Sequence, residues 1–216
     1  DRLFTITNNG GTIDASGTGA LTFTNSGSLA YSGISTRTLT LTGSGSGALS
    51  QVLADNTGAT GLVMSGAATW TISGANTYTG GTTINSGTLA LGANDVLANS
   101  GAVTISGGIF DVNTRTETLG AVSLTSGSIT GSSGVLTGSS YGISNATGTT
   151  TISAILAGGS SVGLTKTGSG ALTLSGQNTY GGTTTISAGT VTVSSDANLG
   201  AAPGSVTTGK LVFNGG

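Results

Sequence analysis

The chain has 216 residues, 41 of them Gly, with seven acids, five bases, no His and no Cys, and a net charge of −2. No disulfide scaffold and no Cys/His zinc site is possible, and no basic stripe exists to displace counterions from nucleic acid. Only 6% of residues are charged and 35% are apolar, whereas disordered chains are poor in apolar and rich in charged residues.

No apolar run approaches the roughly 20 residues of a membrane helix, and the opening residues are not expected to be a signal peptide. The sequence begins in strand-like residues, "DRLFTITNNGG", and closes in "GKLVFNGG". It is expected to be a mature fragment or a segment of something longer. Gly and β-branched residues interrupt every stretch long enough for a helix.

Period two runs instead along the chain. Leu21 and Phe23 alternate with Thr22 and Thr24, and Leu39 and Leu41 sit between Thr38, Thr40 and Thr42. Trp70 and Ile72 follow, then Leu89 and Leu91, Val103 and Ile105, Val122 and Leu124, Leu172 and Leu174, and Val191 and Val193. Each pair places two apolar side chains on one face of a short strand and hydroxyls on the other. Trp70 is expected in the core. Ser-Gly, Thr-Gly and Gly-Gly corners follow the strands and supply the positive φ of sharp bends.

Short strands with Gly corners fit either an antiparallel sandwich or barrel or a parallel solenoid. Antiparallel hairpins favour Asn-Gly turns, which occur here only at Asn9-Gly10 and Asn214-Gly215. The sequence also repeats itself. "SGANTYTGGTTINSGTLALG" starts at Ser73 and "SGQNTYGGTTTISAGTVTVS" starts at Ser175, so Asn76 and Asn178, Tyr78 and Tyr180, and Gly87 and Gly189 are each 102 apart. Fixed-period self-similarity marks repeat architectures. The expectation is an all-β, right-handed, single-stranded parallel β-helix over 1–216. It would hold two related units, roughly 1–112 and 113–216. Rungs of roughly 20 residues give about ten or eleven coils, and ~4.8 Å per strand gives a shaft of about 50 Å. Tyr78 and Tyr180 are expected as corner residues beside the Gly-Gly bends.

Chemistry-bearing residues are sparse. The acids are Asp1, Asp14, Asp55, Asp95, Asp111, Glu117 and Asp196. Glycoside hydrolysis requires two carboxylates about 5–10 Å apart, and the only local cluster is Asp111, Arg115 and Glu117 in "DVNTRTE". Arg115 and Glu117 share a strand face and are expected to form a solvated pair, since exposed ion pairs are common and weak. A polysaccharide-cleaving role for the cluster is the alternative. Asp95 and Asp196 are expected in turns. Asp14 stands alone, without the iterated Gly-Gly-x-Gly-x-Asp of a calcium β-roll. No His base serves a serine hydrolase. Asn145-Ala146-Thr147 fits a glycosylation sequon, one match being expected by chance in so Thr-rich a chain. The Thr-x-Thr runs could bind ice or glycans, although outward Thr is also simple β-propensity. Catalytic, cofactor and metal residues are expected to be none.

"GAATWTISGANTYTGGTTINSGTLALG" and "GSGALTLSGQNTYGGTTTISAGTVTV" resemble the autotransporter-associated β-strand repeat, also called the passenger-associated transport repeat. The first copy matches that pattern at Trp70, Gly74, Asn76, Thr77, Tyr78, Gly80, Thr82, Ile84, Gly87 and Leu89. The second matches at Gly168, Gly170, Leu172, Gly176, Asn178, Thr179, Tyr180, Thr183 or Thr184, Ile186, Gly189 and Val191, and departs at Gly181, where the pattern has Thr or Ser. The resemblance implies a β-helical passenger exported across the outer membrane to a bacterial surface, with a C-terminal translocator barrel outside these residues. The expected role is a non-enzymatic stalk, adhesin or filament subunit. Its expected partners are further rungs of the same or neighbouring chains, with end-to-end stacking, and surface glycans, with no nucleic acid. Absence of Cys suits threading through the outer membrane.

Overall fold

The computed structural model describes residues 3–205 and 207–215, which leaves Asp1 outside it. Every pairing between its strands is parallel. The chain therefore coils and never folds back as a sandwich would. The solenoid has about nine turns, slightly fewer than the ten or eleven expected. At ~4.8 Å per turn the shaft is about 43 Å long. Among the described residues the one helical segment is the 3-10 turn Asp196–Leu199, and no helix is long and apolar enough to cross a membrane.

Two long ladders form two sides of the coil. The first runs through Gly11–Asp14, Arg37–Thr42, Thr60–Met64, Thr82–Ile84, residues 103–105, residues 121–124, Ser140–Ile143, Leu164–Lys166, Thr184–Ile186 and Leu211–Phe213. The second begins with Leu21–Phe23, Ser46–Leu49, Thr69–Ile72 and Thr88–Leu91 and ends with Thr149–Ile152, Ala171–Leu174 and Thr190–Val193. The long strands Val103–Asp111 and Ala121–Thr130 turn the corner and serve both ladders, with register shifts between Ile105 and Ile109. A short third side is made by Thr116–Thr118, Val135–Thr137 and Ile155–Ala157.

Turn length follows from the register. Trp70 pairs with Leu89, 19 residues on, and Ile129 with Ile152, 23 on. Nearer the ends the steps lengthen, to 28 between Gly11 and Leu39 and 27 between Thr184 and Leu211. The loops in those end turns absorb the difference.

In-register stacking turns the alternating pattern into columns. One inward column reads Ile13, Leu41, Met64, Ile84, Ile105, Leu124, Ile143, Lys166, Ile186 and Phe213. From Leu41 to Ile143 its members are at most 2% exposed. Each buried aliphatic side chain contributes on the order of 1.5–3 kcal/mol, which offsets the entropy of a chain so rich in Gly.

Trp70 is fully buried, as expected, and its Nε1 donates to the Thr42 carbonyl at 3.0 Å. Its neighbour in the column is Gly47, where a Cβ would stand 2.4 Å from the indole ring. The narrow core admits its largest side chain only because the turn below has none. Gly87 and Gly189, the paired motif glycines, have φ of 69° and 72°. They hold the same left-handed corner in both copies.

Candidate functional site

The duplicated motif builds a polar clamp inside each repeat. Asn76 is buried at the third corner of its turn. Its Oδ1 accepts from the Leu53 amide of the preceding turn at 2.7 Å, and its Nδ2 donates to the Val96 carbonyl of the next at 2.7 Å and to Gly74 O at 2.9 Å. One amide side chain thus ties three turns. Asn178 does the same, accepting from Leu156 N at 2.8 Å and donating to Asn198 O at 2.5 Å.

Two residues on, Tyr78 and Tyr180 lie fully inside the shaft beside the Gly-Gly bends. Their hydroxyls meet Thr82 Oγ1 at 2.6 Å and Thr184 Oγ1 at 2.7 Å. Burial raises both phenol pKa values. Such groups are core struts, inaccessible to a ligand.

The copies differ at one place on the surface. Thr79 clasps Asp55, donating from its hydroxyl to Oδ2 at 2.6 Å and from its amide to Oδ1 at 3.1 Å. Burial alone would raise the Asp55 pKa, but these bonds, the Thr60 amide and the Arg37 charge lower it on balance. In the second copy Gly181 replaces Thr79, and Gly158 stands where Asp55 does, since Leu156 there makes the contacts with the Asn and Thr of the next turn that Leu53 makes here. The donor and the acceptor are lost together, so the departure from the motif at Gly181 is a matched deletion.

The expected solvated pair of Arg115 and Glu117 does not form. Arg115 is exposed, but Glu117 is 1% exposed. Its two oxygens accept from consecutive amides of the preceding turn, Val96 at 2.9 Å and Leu97 at 3.0 Å. Glu117 alternates with Leu119 on the inward face, which is why it points inward. Burial raises its pKa to about 7, against the pull of those two amides and with a contribution from Asp95. A raised carboxyl pKa often marks a catalytic acid. Here both oxygens are engaged by backbone inside the shaft, where a polysaccharide has no path to them.

The remaining acids among the described residues are structural or solvated. Asp111 Oδ1 accepts from the Asn113 amide and the Thr130 hydroxyl, both at 3.0 Å. Asp95 sits in a turn at φ 46°, and Asp196 opens the 3-10 turn. Asp14 is exposed at a strand end. Among the described residues no cluster of three His, Cys, Asp or Glu could hold a metal ion. Asn145 is buried, with its Nδ2 donating to Ala171 O at 2.9 Å, so the sequon is closed to a glycan.

Two buried cations escaped the sequence reading. Lys166 is fully buried in the aliphatic column between Ile143 and Ile186, its Nζ donating to Gly168 O, and desolvation lowers its pKa. Its alternation with Leu164 was the available signal. Arg37 is 5% exposed, with Nη2 donating to Ser35 O at 2.8 Å and Gly33 O at 3.1 Å, and its guanidinium lies 5.2 Å from the Tyr31 ring centroid. It ties down the loop before its own strand.

Outside the shaft, the first ladder carries a straight column of small residues: Thr12, Thr40, Val63, Thr83, Thr104, Ser123, Gly142, Thr165, Thr185 and Val212. The core opens into a recess of about 330 Å³ between Phe4, Ile6, Ile13, Phe23 and Leu39. A second, of about 370 Å³, lies between Ile186, Val191 and Phe213.

Comparison with known proteins agrees with the motif. The model of the passenger-associated transport repeat matches residues 62–91 and 164–193, the two segments that carry the Asn clamp and the Tyr strut. A stretch of 63 residues is 51% identical to the adhesin BmaC autotransporter of Brucella suis biovar 1 (strain 1330), covering 29% of this chain and 2% of that protein. The chain thus spans a small fraction of the length of that curated relative. No solved structure matches significantly.

Proposed function

We propose that the chain is a non-enzymatic shaft segment of a bacterial autotransporter passenger, exported to the cell surface, where it serves as a stalk or adhesive fibre. The single observation that supports this most is that both segments matched by the passenger-associated transport repeat lie within one continuous parallel coil, with their buried Asn side chains spent on joining turns. A stack of turns contacting only their neighbours makes a long structure of extensible length. Residues 1–112 and 113–216 would be successive copies of one building block. The parent protein would supply further turns and a C-terminal translocator barrel.

The test is surface labelling of intact cells that express the parent protein, with and without its barrel. Antibody to this segment should bind intact cells only when the barrel is present, and deletion of the segment should lower attachment without abolishing export. Barrel-independent labelling or a purely cytoplasmic location would overturn the proposal. The outward hydroxyl column supports a second use of the same shaft, glycan binding along its first side. A glycan array on the folded chain, with and without Thr83→Lys and Thr104→Lys, tests it; an array without signal removes it.

A further inference from the structure

We propose that Glu117 is a proton-controlled latch on the segment 93–101, which forms the third side of its turn. The shaft uses one device three times at this corner, in which a side chain of one turn accepts an amide of the turn before. Asn76 accepts from Leu53, Asn178 accepts from Leu156, and Glu117 accepts from both Val96 and Leu97. The first two are neutral at every pH, and the third is a carboxyl.

The segment has little else to hold those amides. It is not a strand, and its other ties to neighbouring turns run from Asp95 N to Thr116 O, from Thr116 N to Asn94 Oδ1, from Asn76 N and Nδ2 to Val96 O and from Gly120 N to Gly101 O, none of them engaging the Val96 or Leu97 amide. On its outer side lies an open recess of about 430 Å³ between Asn76, Thr77, Ala98, Asn99 and Ser100. Among the described residues no cation pairs with Glu117. The titratable groups that face it are the carboxyl of Asp95, on the segment itself, and the phenol of Tyr78, in the turn before. The Asp95 carboxyl disfavours its negative charge, and the charge of Glu117 in turn helps to keep the Tyr78 phenol protonated. Water reaches the carboxylate only if the segment lifts.

A carboxyl with a folded pKa of about 7, above its ordinary value, holds its proton more tightly closed than open. The closed state is therefore most favoured at acid pH, and it loses that advantage as pH rises through the ordinary carboxylate range towards neutrality. Between pH 5 and pH 8 the opening equilibrium should grow about 10- to 100-fold.

Amide hydrogen exchange on the whole chain, corrected for intrinsic rates, reads this directly. Protection at Val96 and Leu97 should fall by that factor from pH 5 to pH 8, while Leu53 and Leu156, held by the neutral clamps, stay level. In Glu117→Gln the fall should vanish. A carbon-13 titration of the Glu117 carboxyl in the unaltered chain provides a reading that needs no variant, with a midpoint expected near neutrality. Protection at Val96 and Leu97 that tracks Leu53 and Leu156, or rises with pH, overturns the latch, as does a carboxyl that titrates in the ordinary range.

Discussion

Removal of the Asn76 clamp is the most informative perturbation of the repeat. In Asn76→Ala the Leu53 amide loses its only side-chain acceptor, a bond of 2.7 Å inside the shaft. A buried donor left without a partner costs about 1–3 kcal/mol. The Val96 carbonyl keeps the Asn76 amide and loses only the Nδ2 donor, which adds about 1 kcal/mol. The expected loss is therefore about 2–4 kcal/mol. Asn76→Asp separates hydrogen bonding from packing. One carboxyl oxygen still accepts from Leu53, but the other faces the Gly74 and Val96 carbonyls where Nδ2 donated. The acid should be held protonated in the fold, with its pKa raised. Stability of Asn76→Asp should then fall as pH rises through about 4 and beyond, so that it exceeds Asn76→Ala at pH 4 and drops below it at pH 8. Urea unfolding followed by tryptophan fluorescence, with amide exchange at Leu53 as the local probe, gives both numbers. A loss under about 0.5 kcal/mol for Asn76→Ala, within the range of ordinary surface changes, would refute the clamp. So would a pH-independent Asn76→Asp.

Lys166→Met should stabilise the chain by about 1–3 kcal/mol in urea, since a buried charge gives way to an aliphatic chain of similar length between Ile143 and Ile186; destabilisation would show that the Gly168 contact carries the site. Tyr78→Phe strands the Thr82 hydroxyl and should cost about 1–2 kcal/mol. Tyr180→Phe should cost less, because Thr184 Oγ1 still donates to Leu199 O at 2.9 Å; equal losses would contradict that assignment. Gly47→Ala forces a methyl against the Trp70 ring and should cost about 1–3 kcal/mol, with a changed near-ultraviolet tryptophan signal; an unchanged spectrum and stability would mean the core has room.

The stacked columns were legible from residues such as Leu39 and Leu41 because alternation survives when strands lie in register. The paired copies of Asn76 and Tyr78 announced a repeat, and composition pointed to parallel coils. What the sequence concealed were the inward polar groups. Glu117 and Lys166 each alternate with a Leu on the buried face, yet charge is ordinarily read as outward, and their backbone acceptors and donors come from loops with no pattern of their own. The departure at Gly181 was visible, but its coupling to the loss of the Asp55 carboxyl was hidden, since Asp55 and Thr79 lie 24 apart in sequence and meet only across one turn.

The central claim is that successive turns stack in parallel with a constant rise. The chain has no Cys, so spin labels can be placed freely on the outward column. Thr40 and Thr165 are six ladder steps apart and Thr40 and Thr185 seven. At ~4.8 Å per step, pulsed electron resonance should give about 29 Å and about 34 Å, allowing for the label arms. Distances that fail to grow with ladder steps, or a Thr40–Thr185 separation near the ~10 Å of two facing sheets, would contradict the parallel coil.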